Sequence, residues 1–404
     1  MRVLFTTQPG EGHLNPLVPL ARALLAAGHE VAVACAPSFG RLVEARGLRA
    51  FPMGLDWKIA PDDNWDERWP RLRDVPPDQY VSFVMADLFA GDVAERALPD
   101  LLAIARAWSP DVVVRETCEF GGWLAAEVLG LPHASVEVTL FAFFQRDAAP
   151  IAASLARLLD RAGRPAGDVA TRLFAKLHLS FVPPSFQDPD VPLPVTAHAL
   201  RTLPLDPLPD EQPPAWLTTL SDHPLVYATG GTADDRSGFF AAVIAAVRDL
   251  DATLVATVGR TLDPAQFGPR PRHVHLARYI SQALLLPRCD VVVNHGGFSS
   301  VLGALAAGVP LVILPHGADQ PVNARRAGAL GVAIVLEEDQ RTPTAIRTAV
   351  QTILDDPRYR QRARAVQAEN AALPGPEWGV TLLERLVAER RPQVCAHASA
   401  AAVA

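Results

Sequence analysis

Short apolar runs alternate along this chain with stretches whose apolar positions recur at helical spacing. In the first half, residues 3–6, 31–35, 111–114 and 133–136 read as buried strands. Asn15 is expected to cap a helix with Pro16 at its first position, running to Ala27 before Gly28. Residues 119–129 give a further helix. The pattern restarts with strands at 225–229, 253–258, 273–276, 290–293, 311–314 and 333–336, with helices between them. Strands alternating with helices imply right-handed crossovers and a parallel sheet, which makes the fold class α/β. Helical periodicity continues over 344–372, and after the breaker Pro374-Gly375-Pro376 an amphipathic helix spans 378–389.

Two alternating series in 404 residues predict two domains, each large enough for its own core. The Pro-rich stretch 181–214 is expected to end the first and link it to the second. The boundaries expected are 1–208, 222–375, a final helix at 376–391 and a flexible tail at 392–404. Residues 56–77, rich in Trp, Asp and Pro, read as a long loop of the functional or mobile kind.

One motif points to chemistry. Asn294-His295-Gly296-Gly297-Phe298-Ser299-Ser300 leaves a strand through paired glycines and opens a helix. Backbone N–H groups and the helix dipole then converge on one spot suited to an anion, and two serines add hydroxyl donors. Pro315-His316-Gly317-Ala318-Asp319-Gln320-Pro321 follows the next strand, so both loops fall on the same carboxyl edge. Asp319 and Gln320 offer the planar polar groups that bind sugar hydroxyls in pairs, with Asn323 one turn on as their support; a helix cap at Asp319 is the competing reading. A phosphate site beside hydroxyl-binding side chains suggests a nucleotide sugar.

Composition narrows the options. The net charge of −7 with no basic block excludes nucleic acid as the expected partner. Cys35, Cys118, Cys289 and Cys395 are scattered without CxxC spacing, so neither a disulfide framework nor a metal site is expected from spacing. The N-terminus enters a strand without a signal-peptide plan, and no apolar run reaches membrane-spanning length; a cytoplasmic protein with no membrane partner is the expectation. Asp188-Pro189-Asp190 spells the DxD string of metal-dependent transferases but lies in the Pro-rich stretch. Gly10-Glu11-Gly12 lacks the third glycine of a dinucleotide fingerprint.

The HGGFSS run is followed by the AAGVPLV and Asp-Gln-Pro-Val-Asn blocks, and Gly12-His13-Leu14-Asn15-Pro16 stands near the N-terminus. In these motifs, and over nearly its whole length, the chain resembles the nucleotide-sugar-dependent glycosyltransferases of the antibiotic and macrolide type, bacterial relatives of UDP-glycosyltransferases. The resemblance implies the GT-B fold, two facing Rossmann-like domains with a cleft between them. The acceptor would bind the first, the donor the second, and the final helix would cross back to the first.

The resemblance also implies roles. His13 would be the general base toward an acceptor hydroxyl, a task for which imidazole has the right pKa; capping of the next helix is the alternative. The family commonly has an aspartate after the strand at 111–114 to orient that base. Glu116 stands nearest here, with Arg115 beside it competing for its charge and Glu119 as second choice. His295, with Gly296, Gly297, Phe298, Ser299 and Ser300, would hold the donor diphosphate, joined by Thr229, Gly230, Gly231 and Thr232. Tyr279-Ile280-Ser281-Gln282 replaces a usual Trp-Val-Pro-Gln: Tyr279 would stack on the base, Ile280 pair with its edge through the backbone, and Gln282 reach the ribose; core packing is the other reading of Tyr279. Trp57, Trp65, Trp69, Phe83, Phe89, Phe141, Phe143 and Phe144 are core candidates, some able to line an apolar acceptor pocket.

The expected activity is inverting, metal-independent transfer from a UDP- or dTDP-sugar to a small apolar acceptor, with no cofactor beyond that co-substrate, by a monomer or homodimer. Two rivals remain: a sugar-nucleotide 2-epimerase of the same fold, and a non-catalytic nucleotide-binding helper, which the Glu116 departure keeps open.

Overall fold

The structure is a computed structural model that describes residues 1–59, 63–205, 207, 212–220, 224–231, 237–259 and 261–395. Thr232 and the tail beyond 395 lie outside the described residues.

The chain divides into two compact units. Unit 1 comprises Met1–Val182, Asp188–Arg201 and the chain from Pro374 on; unit 2 comprises Pro183–Gln187 and Thr202–Leu373. Unit 1 carries a seven-stranded parallel sheet of β1 (Arg2–Thr6), β2 (Glu30–Cys35), β3 (Arg49–Pro52), β4 (Val112–Glu116), β5 (His133–Val136), β6 (His178–Ser180) and β7 (Ala197–Ala199), in the order β3-β2-β1-β4-β5-β6-β7. Unit 2 carries six parallel strands, β8 (Leu225–Thr229), β9 (Thr253–Thr257), β10 (Val274–Ala277), β11 (Val291–Asn294), β12 (Leu311–Ile313) and β13 (Ala333–Val335), in the order β10-β9-β8-β11-β12-β13. Both orders run outward from the first strand, reverse, and run outward again, which is the doubly wound arrangement. Each leaves a crevice at the carboxyl ends where the order reverses, between β1 and β4 in unit 1 and between β8 and β11 in unit 2.

The central strands are near-continuous apolar runs because helices cover both faces. All five residues of β8 and of β4 are buried. In unit 2, Phe240, Val243 and Val247 from one helix and Ile346, Val350 and Ile353 from another pack with the sheet as one core. The apolar positions of 344–372 break into two helices, Pro343–Asp355 and Pro357–Ala372. Pro357 ends the first by denying it a backbone donor and starts the second at a position where that donor is not needed.

Two expectations need correction. Asn15 does not cap a helix: its backbone is already helical (φ −56, ψ −40), because extended Gly10 starts the helix Glu11–Leu14 upstream. A cap needs non-helical backbone; a 3-10 turn, Asn15–Leu17, instead hands on to the helix Val18–Ala26. Within the stretch 181–214, β7 pairs with β6 and belongs to unit 1. The segment 56–77 carries a helical turn, Trp65–Arg68, and a 3-10 run, Pro70–Asp74.

The last helix, Pro376–Glu389, packs on Val18–Ala26 within unit 1. Close approach needs Gly379, where a Cβ would stand 2.9 Å from Leu20 Cδ1 and 3.2 Å from Leu200 Cδ1. His29 Nε2 lies 3.0 Å from Glu384 Oε1 across the same contact.

Candidate active site

In unit 1 the reversal between β1 and β4 brings His13 and Glu116 together. His13 sits on the short helix after β1, and Glu116 is the last residue of β4. His13 Nδ1 lies 2.9 Å from Glu116 Oε1. The carboxylate also accepts the Gln8 N–H (3.3 Å) and the Cys118 N–H (2.5 Å). It is fully buried, whereas the imidazole is 21% exposed. A carboxylate accepts only, so His13 Nδ1 carries a proton toward it. Such a contact fixes the orientation of an imidazole ring.

Arg115 does not compete for this carboxylate. Successive strand residues point to opposite faces. The Arg115 guanidinium therefore lies on the far side, donating to the carbonyls of Glu116, Thr117, Glu119 and Leu173 (3.0–3.3 Å) above the rings of Phe120 and Phe174. Burial pushes its pKa down to about 10. Glu119 is occupied elsewhere as well: its carboxylate accepts the N–H groups of Gly121 (2.6 Å) and Gly122 (2.9 Å) and the Thr6 hydroxyl, fixing the start of the helix Gly121–Leu129. Burial raises its pKa.

Six of the eight aromatics fall into two groups. Phe141 and Phe144 pack on Phe174 as core. Trp57, Trp65, Trp69 and Phe89 form a cluster with neighbouring centroids 5.3–6.3 Å apart. The Ile59 N–H donates to Pro9 O (2.8 Å), so this Trp-rich segment abuts the turn that carries His13. Phe89 comes from a ten-residue π-helical stretch, Val84–Val93, a wide turn that often accompanies function.

In unit 2 the reversal between β8 and β11 sets Thr229 opposite Asn294. His295 follows, its ring seated between glycines: a Cβ on Gly231 would lie 2.7 Å from His295 Cε1, and one on Gly297 2.3 Å from Nε2. Gly231 also adopts φ +79 and Gly296 φ +88, the left-handed region that glycine enters without strain. The helix Phe298–Ala306 starts at Gly297 with no side-chain cap. Its first N–H groups point outward unmatched within the helix, and the buried Ser299 hydroxyl has no hydrogen-bond partner. Donors without acceptors at a helix N-terminus make an anion cradle.

Asn323, fully buried, donates to Gly296 O (2.9 Å) and to Asp319 Oδ2 (2.9 Å), tying the two motifs into one surface. Asp319 occupies the N-cap position of the helix Gln320–Ala329 but makes no capping hydrogen bond. Gln320 turns its oxygen inward, accepting the N–H groups of His316 (2.8 Å) and Gly317 (3.3 Å). Ala318 is held at φ +53, an uncommon backbone for a residue with a Cβ. Following β10, Tyr279 is half-buried and Ile280 buried, while Gln282 opens the short helix Gln282–Leu285. Thr229 accepts the Gly231 N–H at 3.4 Å. Among the described residues, no helix is long and apolar enough to cross a membrane.

Known proteins share this arrangement. The family described as erythromycin biosynthesis protein CIII-like, C-terminal domain, matches residues 241–386. The chain is 30% identical to 4'-demethylrebeccamycin synthase of Lentzea aerocolonigenes over 96% of this chain and 99% of that one. It is 32% identical to 10-deoxymethynolide desosaminyltransferase of Streptomyces venezuelae, covering 97% and 98%. It belongs to the antibiotic glycosyltransferases. The structure of the glycosyltransferase VinC in complex with dTDP superposes with a TM-score of 0.77 at 29% identity, covering 96% of this chain and 100% of that one. This glycosyltransferase therefore has the GT-B fold of two Rossmann-like domains and is a hexosyltransferase-type enzyme of natural-product biosynthesis.

Sequence reasoning missed the strut, Asn323 to Gly296, and the placing of Cys118 against His13 and Glu116. Both join residues that no local pattern relates.

Proposed function

We propose that this glycosyltransferase moves a sugar from a dTDP- or UDP-sugar to a hydroxyl of a small apolar acceptor, with inversion and without a metal. His13 Nε2 takes the proton of the acceptor hydroxyl as that oxygen attacks the anomeric carbon, and the nucleoside diphosphate departs from the opposite face. Glu116 holds the imidazole in the proton-accepting tautomer and offsets the charge it gains. The leaving diphosphate meets the open N–H groups of Phe298, Ser299 and Ser300, with His295 and the Thr229-Gly230-Gly231 turn beside them. Asp319 reads sugar hydroxyls, with Gln320 shaping the turn that presents it; Tyr279 and Ile280 receive the base.

The observation that carries this reading is the 2.9 Å contact between His13 and a fully buried carboxylate. The complex of VinC with dTDP supports a thymidine nucleotide. The test is a panel of dTDP- and UDP-sugars incubated with hydroxylated aromatic and macrolide acceptors, read by mass spectrometry and by NMR of the product anomer. A glycoside of inverted configuration supports the proposal; a retained anomer, or a new sugar isomer formed without acceptor, overturns it.

A further inference from the structure

His13, Glu116 and Cys118 bring an imidazole nitrogen, a carboxylate oxygen and a thiol sulfur within 4.8 Å of one another. Among the described residues no other three histidine, cysteine or acidic side chains do so. The trio is built by the fold: Glu116 ends β4, its carboxylate accepts the Cys118 N–H, and that tight turn returns the thiol toward the helix carrying His13. Glu116 and Cys118 are buried, so solvent reaches the group through the exposed part of the imidazole.

Imidazole, thiolate and carboxylate are the three ligand types zinc takes, and three protein ligands leave a fourth position for water. A tetrahedral zinc holds its ligand atoms roughly 3.5 Å apart, so the trio needs closure of about an ångström at its widest pair. The neighbouring cation, Arg115, is turned to backbone carbonyls and leaves the carboxylate to its own side of the strand.

We propose that this trio is a binding site for a borderline-soft divalent cation, zinc, and that the bound ion silences transfer by taking the lone pair of the base. On binding, the Cys118 thiol gives its proton to solvent and coordinates as thiolate. Whichever ring nitrogen of His13 binds, the other keeps the ring proton, so one proton is released in all. Binding does not depend on the transfer mechanism; only the loss of activity rests on His13 being the base.

The probe is cobalt(II), titrated into metal-stripped full-length protein. One equivalent is expected to give a thiolate-to-cobalt charge-transfer band in the near ultraviolet, which zinc then displaces. Cys118→Ala should abolish the band, while Cys395→Ser should keep it. His13→Ala, at a partly open position, should weaken zinc binding at least about tenfold against a chromogenic chelator. No band in the wild type at millimolar cobalt, a band that survives Cys118→Ala, or unchanged zinc affinity in His13→Ala would each overturn the site. Zinc bound as described with transfer undiminished would leave the site standing and overturn its effect on the base.

Discussion

Each sheet places a histidine at the point where its strand order reverses, and the two histidines are held in opposite ways. His13 is gripped by a buried carboxylate that itself collects two backbone N–H groups. His295 is wedged between two glycines beside an uncapped helix N-terminus and a buried, unpartnered serine hydroxyl. On the proposed reading, one edge accepts a proton and the other holds an anion. The doubly wound fold decides where a site lies; the neighbours of the histidine decide what it does.

Breaking the first site should cost most. His13→Ala is expected to lower turnover by about a hundredfold or more while donor affinity, measured by calorimetry, stays near its wild-type value. Glu116→Gln puts an amide N–H among three N–H groups and can swap the imidazole tautomer, so a fall of about a hundredfold is expected, read as kcat under saturating substrates.

The second site should fail in binding rather than in turnover. Gly297→Ala drives a methyl into the His295 ring, and nucleotide diphosphate affinity should drop about tenfold. Asp319→Ala should blur discrimination among sugar donors while free dTDP or UDP binds as before; a parallel loss of nucleotide affinity would contradict its assignment to the sugar. The smallest effect is expected at Ala318. Relief of its left-handed backbone by Ala318→Gly, less the entropy glycine costs, should add about 0.5 kcal/mol of stability, visible as a small rise in Tm.

These contrasts follow how far each site could be read from sequence. The unit 2 cradle is contiguous: strand, paired glycines, two serines and helix lie within one short run, and local pattern suffices. The unit 1 dyad spans 103 positions between His13 and Glu116, so pattern names candidates and only the fold chooses among Glu116, Glu119 and Arg115. Strand alternation sends Arg115 away, and a new helix claims Glu119. Fold class was legible because the central parallel strands are near-continuous apolar runs. β3, β6 and β7 were not, since short strands such as Arg49–Pro52 and Ala197–Ala199 are held by pairing with a neighbour rather than by any apolar run of their own.

The dyad is the central claim, and a double-mutant cycle tests it most directly. Single-turnover rates of sugar transfer are measured for the wild type, His13→Ala, Glu116→Gln and the double variant. If Glu116 acts through His13, the double variant is no slower than His13→Ala alone. Losses that multiply would mean the two side chains act independently, and the paired base would have to be given up.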